Sequence, residues 1–228
     1  MVTINTNYAA SFAANAAKQT QSDLNSAMEK LSTGKRINFA RDDAAGIALA
    51  MRLEAEISEL SVASRNASDG QALIDTADGA LKESHNVLIR MRELAVQAQN
   101  GTLQTTDKNA LGVEFEALEA EITRISDNTS WAGQKLLDGS ASSLVFQIGE
   151  GANQTITVAI TDFAATAGAI NTHTRTVSTA ANAQLAITAL DAAIGNVSQQ
   201  RGNLGAVSNR LSSTMNNLDQ INVNLSAS

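Results

Sequence analysis

The longest helical pattern in this chain is DDAAGIALAMRLEAEISELSVASRNASDGQALIDTADGALKESHNVLIRMRELAVQAQ, residues Asp42 to Gln99. Alternating steps of four and three residues along it meet mostly apolar side chains, which is the spacing of a coiled-coil seam. No proline interrupts the stretch, so one helix of about 85 Å is predicted at 1.5 Å per residue. The seam comprises Leu49, Leu53, Glu56, Leu60, Ala63, Ala67, Gly70, Ile74, Ala77, Leu81, Ser84, Leu88, Met91, Ala95 and Ala98.

The middle of this seam is short of large side chains. Ala63, Ala67 and Gly70 stand where a coiled coil ordinarily has leucine or isoleucine. Two interpretations are open. A partner helix could approach closely here, because small side chains leave room for it, or the long helix could bend here, because small residues stabilise it less.

The composition supports a fold made of long helices. Average proline usage of about 5% would give roughly eleven prolines in a chain of this size, whereas these 228 residues contain none. Aromatic residues are only 3% of the chain, so its cores must be narrow seams of Leu, Ile, Val and Ala. We therefore predict a mainly α protein: an elongated rod of long antiparallel coiled-coil-like helices with a small β-hairpin region.

Charge and residue content exclude several classes of function. The net charge of -7 argues against nucleic-acid binding, which usually shows a basic footprint. The opening residues lack the charged start and apolar run of a signal peptide, and no segment has the length and apolarity of a membrane span. The two histidines, His85 and His173, show no metal-ligand spacing or nucleophile-base pattern. We expect no enzyme activity, no metal and no cofactor.

A first helix and a charged joint precede the long helix. Residues Met1 to Leu31 have helical spacing but little bulk, so this helix needs a partner to offset its ordering entropy. Acidic residues at the start of the long helix suit a cap and complement the helix dipole. The joint carries Lys35, Arg36, Arg41, Asp42 and Asp43.

After the turn at Asn100 and Gly101, a shorter heptad run folds back on the long helix. Alternation of period two from Leu144 to Ile160 predicts a β-hairpin. The segment Thr161 to Ala180, rich in Ala and Thr, is expected to be an exposed insertion. A last heptad run begins at Ile187 and includes the polar positions Arg201, Ser208 and Asn222, which can fix register. The pattern is still running at Ser228.

Rods whose ends are short of large apolar residues complete their burial with other chains. If the rotation between copies does not close, such contacts build an open helical filament. The sequence thus favours a structural protein that assembles with itself.

Over essentially its whole length the chain resembles bacterial flagellin. The resemblance implies that residues 1–43 form an inner-tube helix and spoke, that residues 44–139 and 181–228 form the two parts of a rod domain, and that residues 140–180 hold a hairpin and a short outer insertion. The matching motifs are INTN at Ile4–Asn7, MEKLSTGKRINFARDDAAGIALA at Met28–Ala50, RMRELAVQAQNGT at Arg90–Thr102, WAGQKLLDG at Trp131–Gly139 and RGNLGAVSNRL at Arg201–Leu211.

The same resemblance implies partners and a location. It implies copies of the chain in an extracellular flagellar filament, an export chaperone, and cap or junction proteins, with export in unfolded form and without a cleaved signal peptide. From the resemblance we also expect that the family's C-terminal inner-tube segment is missing from this sequence. We expect filaments from a version that includes this segment and monomers without it.

One face of the long helix is singled out by the resemblance as a contact surface for the next subunit and for the vertebrate Toll-like receptor for flagellin. Arg90, Leu94 and Glu114 match the family's receptor-contact positions. An alternative is open, in which Leu94 only widens the core seam and Arg90 and Glu93 form a surface pair. The predicted interface residues are Arg90, Met91, Glu93, Leu94, Gln97 and Glu114.

Two alternative functions remain open at this point. The hook-filament junction protein shares the terminal helices of flagellin. A cell-surface protein could use the same scaffold to bind a polysaccharide or a host ligand, in which case residues 161–180 would hold the site.

Overall fold

A computed structural model describes residues 7–165, 169–170, 172 and 176–227. Within them the chain is mainly α-helical, with two short antiparallel hairpins. It divides into two compact units, Met1–Glu56 and Ile57–Ser228. The elements are α1 (Tyr8–Thr33), α2 (Ala44–Gln99), α3 (Thr105–Asn128), β1 (Ser130–Trp131), β2 (Gln134–Lys135), β3 (Leu144–Gln147), β4 (Thr155–Val158) and α4 (Ala180–Ala227).

The first helix has well-formed ends but no buried face. The side chain of Asn7 accepts a hydrogen bond from the Ala10 N–H at 3.1 Å and caps the start of α1. Gly34 ends the helix in the left-handed conformation, with φ 67°. None of the residues of α1 is buried. Local capping therefore defines this helix without any tertiary burial.

The start of α2 confirms that one acidic residue of the joint caps the long helix. Asp43 Oδ1 accepts a hydrogen bond from the Gly46 N–H at 2.8 Å. A Cβ on Gly46 would lie 2.6 Å from Asp43 Oδ2, so glycine leaves the room that this cap requires.

The predicted seam is wrong at its N-terminal end. Leu49 is exposed, and Leu53 and Glu56 are only half-buried, whereas every predicted seam position from Leu60 to Ala98 is buried. A seam residue is buried only where a second helix covers it, and the helix pairing of the second unit begins at Leu60. The sequence pattern also missed Leu73, which is buried.

In the second unit α2 and α4 pair antiparallel. Leu60 packs with Leu218 near one end, and Arg92 pairs with Asp191 towards the other, with 2.6 Å between Nε and Oδ1. Two polar positions of the α4 seam fix the register between these ends, as predicted. Their contacts are Arg201 Nε to Asp78 Oδ1 at 2.7 Å and Gln71 Nε2 to Ser208 Oγ at 2.7 Å.

Gly70 marks a close approach and not a bend. A Cβ there would lie 3.3 Å from the Phe146 ring of β3 and 3.4 Å from Leu211 Cδ1 of α4. The predicted hairpin is confirmed, since β3 and β4 pair antiparallel with Phe146 opposite Ile156. Asn66 Nδ2 donates to the Gln147 carbonyl at 3.0 Å. The small residues of the seam therefore leave room for the hairpin to pack against α2.

The expectation of an exposed insertion at Thr161 to Ala180 is wrong for much of the segment. Asn196 Nδ2 of α4 donates to the Ala169 carbonyl within the segment, and Gln200 Nε2 donates to the Ala159 carbonyl two residues before it, each at 2.7 Å. Apolar residues spaced among the alanines and threonines pack on the core. Buried here are Phe163, Ala165, Ile170, Thr172 and Val177.

None of the helices in the described part of the chain is long and apolar enough to cross a membrane. Over the same residues, no group of three or more His, Asp or Glu side chains could hold a metal ion. His173 lies outside the described residues.

Candidate functional site

The predicted interface face is organised around the guanidinium of Arg90. Arg90 lies on α2 and reaches Glu114 on α3, with Nε and Nη2 at 2.9 and 2.8 Å from Glu114 Oε1. Its third nitrogen, Nη1, donates to Glu93 Oε2 at 3.0 Å. One cation thus joins carboxylates of two helices, because the turn after α2 brings α3 back alongside it.

The two carboxylates further stabilise the charged form of the Arg90 guanidinium. Hydrogen bonds from Arg90 to Glu114, and then to Glu93, raise the pKa of Arg90 above its usual value. All three side chains are about half exposed, so the cluster remains accessible to a partner.

The structure places two of the predicted interface residues elsewhere. Met91 and Leu94 are buried in the core of the second unit, and Leu94 is only 1% exposed. The alternative interpretation of Leu94 as a core residue therefore fits this chain, and so does the surface pair of Arg90 and Glu93. A contact role for Leu94 requires an exposed side chain, whereas Leu94 belongs to the core cluster of the second unit.

The exposed part of the face is Arg90, Glu93, Gln97 and Glu114. The sequence analysis missed one neighbour in the chain, Val113, which is 69% exposed. The sequence signal for Val113 was an apolar β-branched residue at a position of α3 where the helical pattern places polar residues.

The charged joint forms a second local cluster. The Arg41 guanidinium lies 4.6 Å from the centroid of the Phe39 ring, within cation-π range. Asp42 Oδ2 accepts hydrogen bonds from the Asn38 and Phe39 N–H groups at 3.2 Å. The structure therefore holds this joint in a defined turn. Lys35 and Arg36 are exposed, while Asp43 caps α2.

Asp42 is expected to make the joint sensitive to acid. The hydrogen bonds from Phe39 and then Asn38 lower its pKa from the ordinary value, which is about 3.9 in unfolded chains. The turn is therefore stabilised above about pH 4, and this contribution is lost as the pH falls through the lowered pKa. Amide chemical shifts of Asn38 and Phe39 should titrate with a midpoint below about 3.9.

The matched variant for this titration is Asp42→Asn, which should remove the pH dependence of both amides. Asp43→Asn, one residue away, should preserve it. A midpoint at or above the unfolded value would contradict the assignment.

The third surface consists of two apolar groups, which lie on roughly opposite sides of α1 at 3.6 residues per turn. Tyr8 and Phe12 lie one turn apart, and Leu24, Met28 and Leu31 form a second group nearer the joint. All five are largely exposed, and Leu31 reaches 82%. Clusters of large apolar side chains that their own chain leaves exposed usually mark a site of association with another molecule.

These features together define a helical structural protein with surfaces for other chains. The bacterial flagellin N-terminal helical region matches residues 4–142, and the C-terminal helical region matches residues 187–228. The chain is 47% identical over 203 residues to a flagellin of Halalkalibacterium halodurans, covering 88% of this chain and 74% of that one. It is 42% identical to a flagellin of Bacillus subtilis, covering 98% and 84%.

Solved structures give the same result. The crystal structure of Bacillus cereus flagellin matches with a TM-score of 0.61 at 35% identity, covering 68% of this chain and 88% of that one. A putative flagellar hook-associated protein of Vibrio parahaemolyticus matches with a TM-score of 0.71 over 83% and 98%, but at 15% identity, so this second likeness shows the fold alone.

The chain belongs to the bacterial flagellin family. It is a structural subunit that assembles with copies of itself into the flagellar filament, outside the cell. The predicted family, the mainly α fold and the structural function are confirmed, whereas no comparison favours the alternative of a ligand-binding surface protein.

Proposed function

We propose that α1 and the joint after it supply the main contact by which copies of this chain assemble. The observation that carries the proposal is that α1 buries none of its residues while five large apolar side chains stand in solvent. Covering them with a second copy removes apolar area from water, which drives association. Residues 1–43 act in this proposal as the inner-tube helix and spoke, and residues 44–139 and 181–228 as the rod around it.

The proposal is tested by changing the second apolar group of α1 in the bacterium that makes the protein. The variant Leu24→Gln with Met28→Gln keeps helix propensity almost constant. Because burying a Leu or Met side chain is worth about 1.5–3 kcal/mol, association should weaken by about a hundredfold or more. Electron microscopy should show few or short filaments, and unassembled subunits should accumulate in the medium.

Ser22→Gln is the matched control, since it places the same side chain at an exposed position of α1 opposite Leu24 and about 15 Å along the helix axis from Phe12. It should leave the filaments normal. Normal filaments from the double variant would contradict the proposal, and intracellular retention of the variant would instead indicate a defect in export.

We further propose that the exposed face made by Arg90, Glu93, Gln97 and Glu114 contacts the vertebrate Toll-like receptor for flagellin in the free subunit. The accessible charge cluster supports this role, because arginine with fixed hydrogen-bonding geometry is frequent among the dominant residues of interfaces. The same face is available to the neighbouring subunit in the filament.

Arg90→Ala should reduce signalling in receptor-expressing reporter cells by about tenfold or more. Arg92→Ala provides the control, because Arg92 lies two residues away and pairs with Asp191 of α4. Equal signalling by the two variants would contradict the proposed face.

The remaining partners are proposed by analogy with the family. We propose that the chain is exported unfolded through the flagellar type III channel with an export chaperone, that it meets cap and junction proteins at the filament ends, and that it catalyses no reaction.

A further inference from the structure

Asn100 stands apart from the other asparagines of this chain. It is the single asparagine followed by glycine in the sequence. Both Asn100 and Gly101 are exposed, in the turn between α2 and α3. A Cβ on Gly101 would meet nothing within 4 Å, so no neighbouring atom blocks access to the peptide bond between Asn100 and Gly101 from this side.

The turn bends the Asn100 side chain back over the following backbone. Asn100 Oδ1 accepts a hydrogen bond from the Thr102 N–H at 3.2 Å, and the Asn100 N–H donates to the Gln97 carbonyl at 3.1 Å. The first hydrogen bond holds the side-chain amide beside the Gly101 peptide group. It also withdraws electrons from the amide carbonyl, which makes Cγ a better electrophile.

We propose that Asn100 is a site of spontaneous deamidation through a succinimide. The Gly101 backbone nitrogen loses its proton to solvent base and forms a bond to Asn100 Cγ, while the bond from Cγ to Nδ2 breaks and ammonia leaves. Water then opens the ring at either carbonyl and gives aspartate or isoaspartate. The net reaction consumes one water and releases one ammonia, and it needs no oxidant, metal or enzyme.

A second turn in the same molecule shows why the amide matters. Asp138 precedes Gly139 and accepts from the Ser140 N–H at 3.0 Å, which is the same side-chain hydrogen bond, although Gly139 has a positive φ of 83° and Gly101 does not. Its hydrogen bonds with Ser140 lower the pKa of Asp138, so its carboxylate stays ionised at neutral pH. An ionised carboxylate is a poor electrophile, and the same ring closure is therefore slow at this position.

Deamidation would place a new charge where α2 tolerates it poorly. The C-terminal end of a helix is the negative end of its dipole, and the last turn of α2 carries no basic residue. The adjacent residue, Gln99, is hydrogen-bonded to Gln184 of α4. An isoaspartate would also lengthen the backbone by one carbon at this turn.

The experiment is peptide mass spectrometry of the whole chain incubated at 37 °C, sampled over weeks at neutral and at mildly alkaline pH. Asn100 should gain about one mass unit, with aspartate and isoaspartate separated by chromatography. The rate should rise with pH, because the attacking nitrogen must lose its proton. Asn209, which is exposed within α4 and followed by Arg210, is the internal reference and should remain intact.

Two variants make the test specific. Gly101→Ala should slow the reaction at least about fivefold, which corresponds to about 1 kcal/mol in the barrier, because alanine hinders the backbone conformations that closure requires. Asn100→Gln should abolish it, since closure would need a six-membered ring. Loss of the amide at Asn100 no faster than at Asn209, or a rate unaffected by Gly101→Ala, would overturn the proposal.

Discussion

Leu94→Ala should lower the free energy of unfolding by about 2–5 kcal/mol. Leu94 is fully surrounded by the core of the second unit, so truncation removes buried apolar area and leaves a cavity that the long helices cannot easily close. Urea titration followed by circular dichroism measures the effect. The change is large beside the total stability of about 5–15 kcal/mol that is usual for a domain.

Val96→Ala is the control for this measurement, because Val96 lies two residues further along α2 and is 48% exposed. It should change the unfolding free energy by less than about 0.5 kcal/mol. Similar effects of the two substitutions would show that Leu94 is not a core residue. Any loss of receptor signalling by Leu94→Ala therefore has to be corrected for lost folding, a correction that Arg90→Ala does not need.

Gly70→Leu should also destabilise the second unit strongly. Even a Cβ at this position lies 3.3 Å from the Phe146 ring, and a leucine would push the hairpin away from α2. Such overpacking costs about 1–3 kcal/mol or more, which exceeds the roughly 0.8–1.0 kcal/mol that a helix interior gains when glycine is replaced. Thermal unfolding should therefore shift to lower temperature.

Gly79→Leu supplies a control of opposite sign. Gly79 lies on the same helix, and a Cβ there would have nothing within 4 Å. Only the gain in helix propensity remains, so the midpoint temperature of thermal unfolding should rise. In a Phe146→Ala background, Gly70→Leu should recover part of its loss, because the two substitutions share one space. Additive effects of the pair would contradict the close approach of the hairpin.

The sequence predicted what depends on periodicity. The heptad of α2 identified its buried stripe from Leu60 onward, and the alternation of period two identified β3 and β4. Polar seam residues such as Arg201 were correctly expected to fix register, because a charged group in a seam must meet a partner.

The burial of a side chain could not be predicted where it depends on which other helix or strand packs over it. Leu49 fits the heptad as well as Leu88 does, yet only Leu88 is covered. Leu94 was assigned to the contact surface because it matches a receptor-contact position of the family, whereas the structure buries it in the core cluster of the second unit. Phe163 lies in a stretch without any period, so its burial depends on tertiary contacts alone.

The candidate site depends on both kinds of feature. The motif around Arg90 predicted a contact face on α2, and Glu114 was added to it only because it matches a receptor-contact position of the family. The sequence gives no sign that Arg90 joins both Glu93 and Glu114, since that depends on the angle at which α3 returns along α2.

Hydrogen–deuterium exchange of α1, compared between the free subunit and the assembled filament, tests most directly whether this helix is completed by its neighbours. We expect fast exchange across Tyr8–Thr33 in the free subunit and strong protection in the filament, while the α2 core around Leu81 and Leu88 is protected in both. Exchange in α1 that is already slow in the free subunit, or that stays fast in the filament, would contradict this expectation.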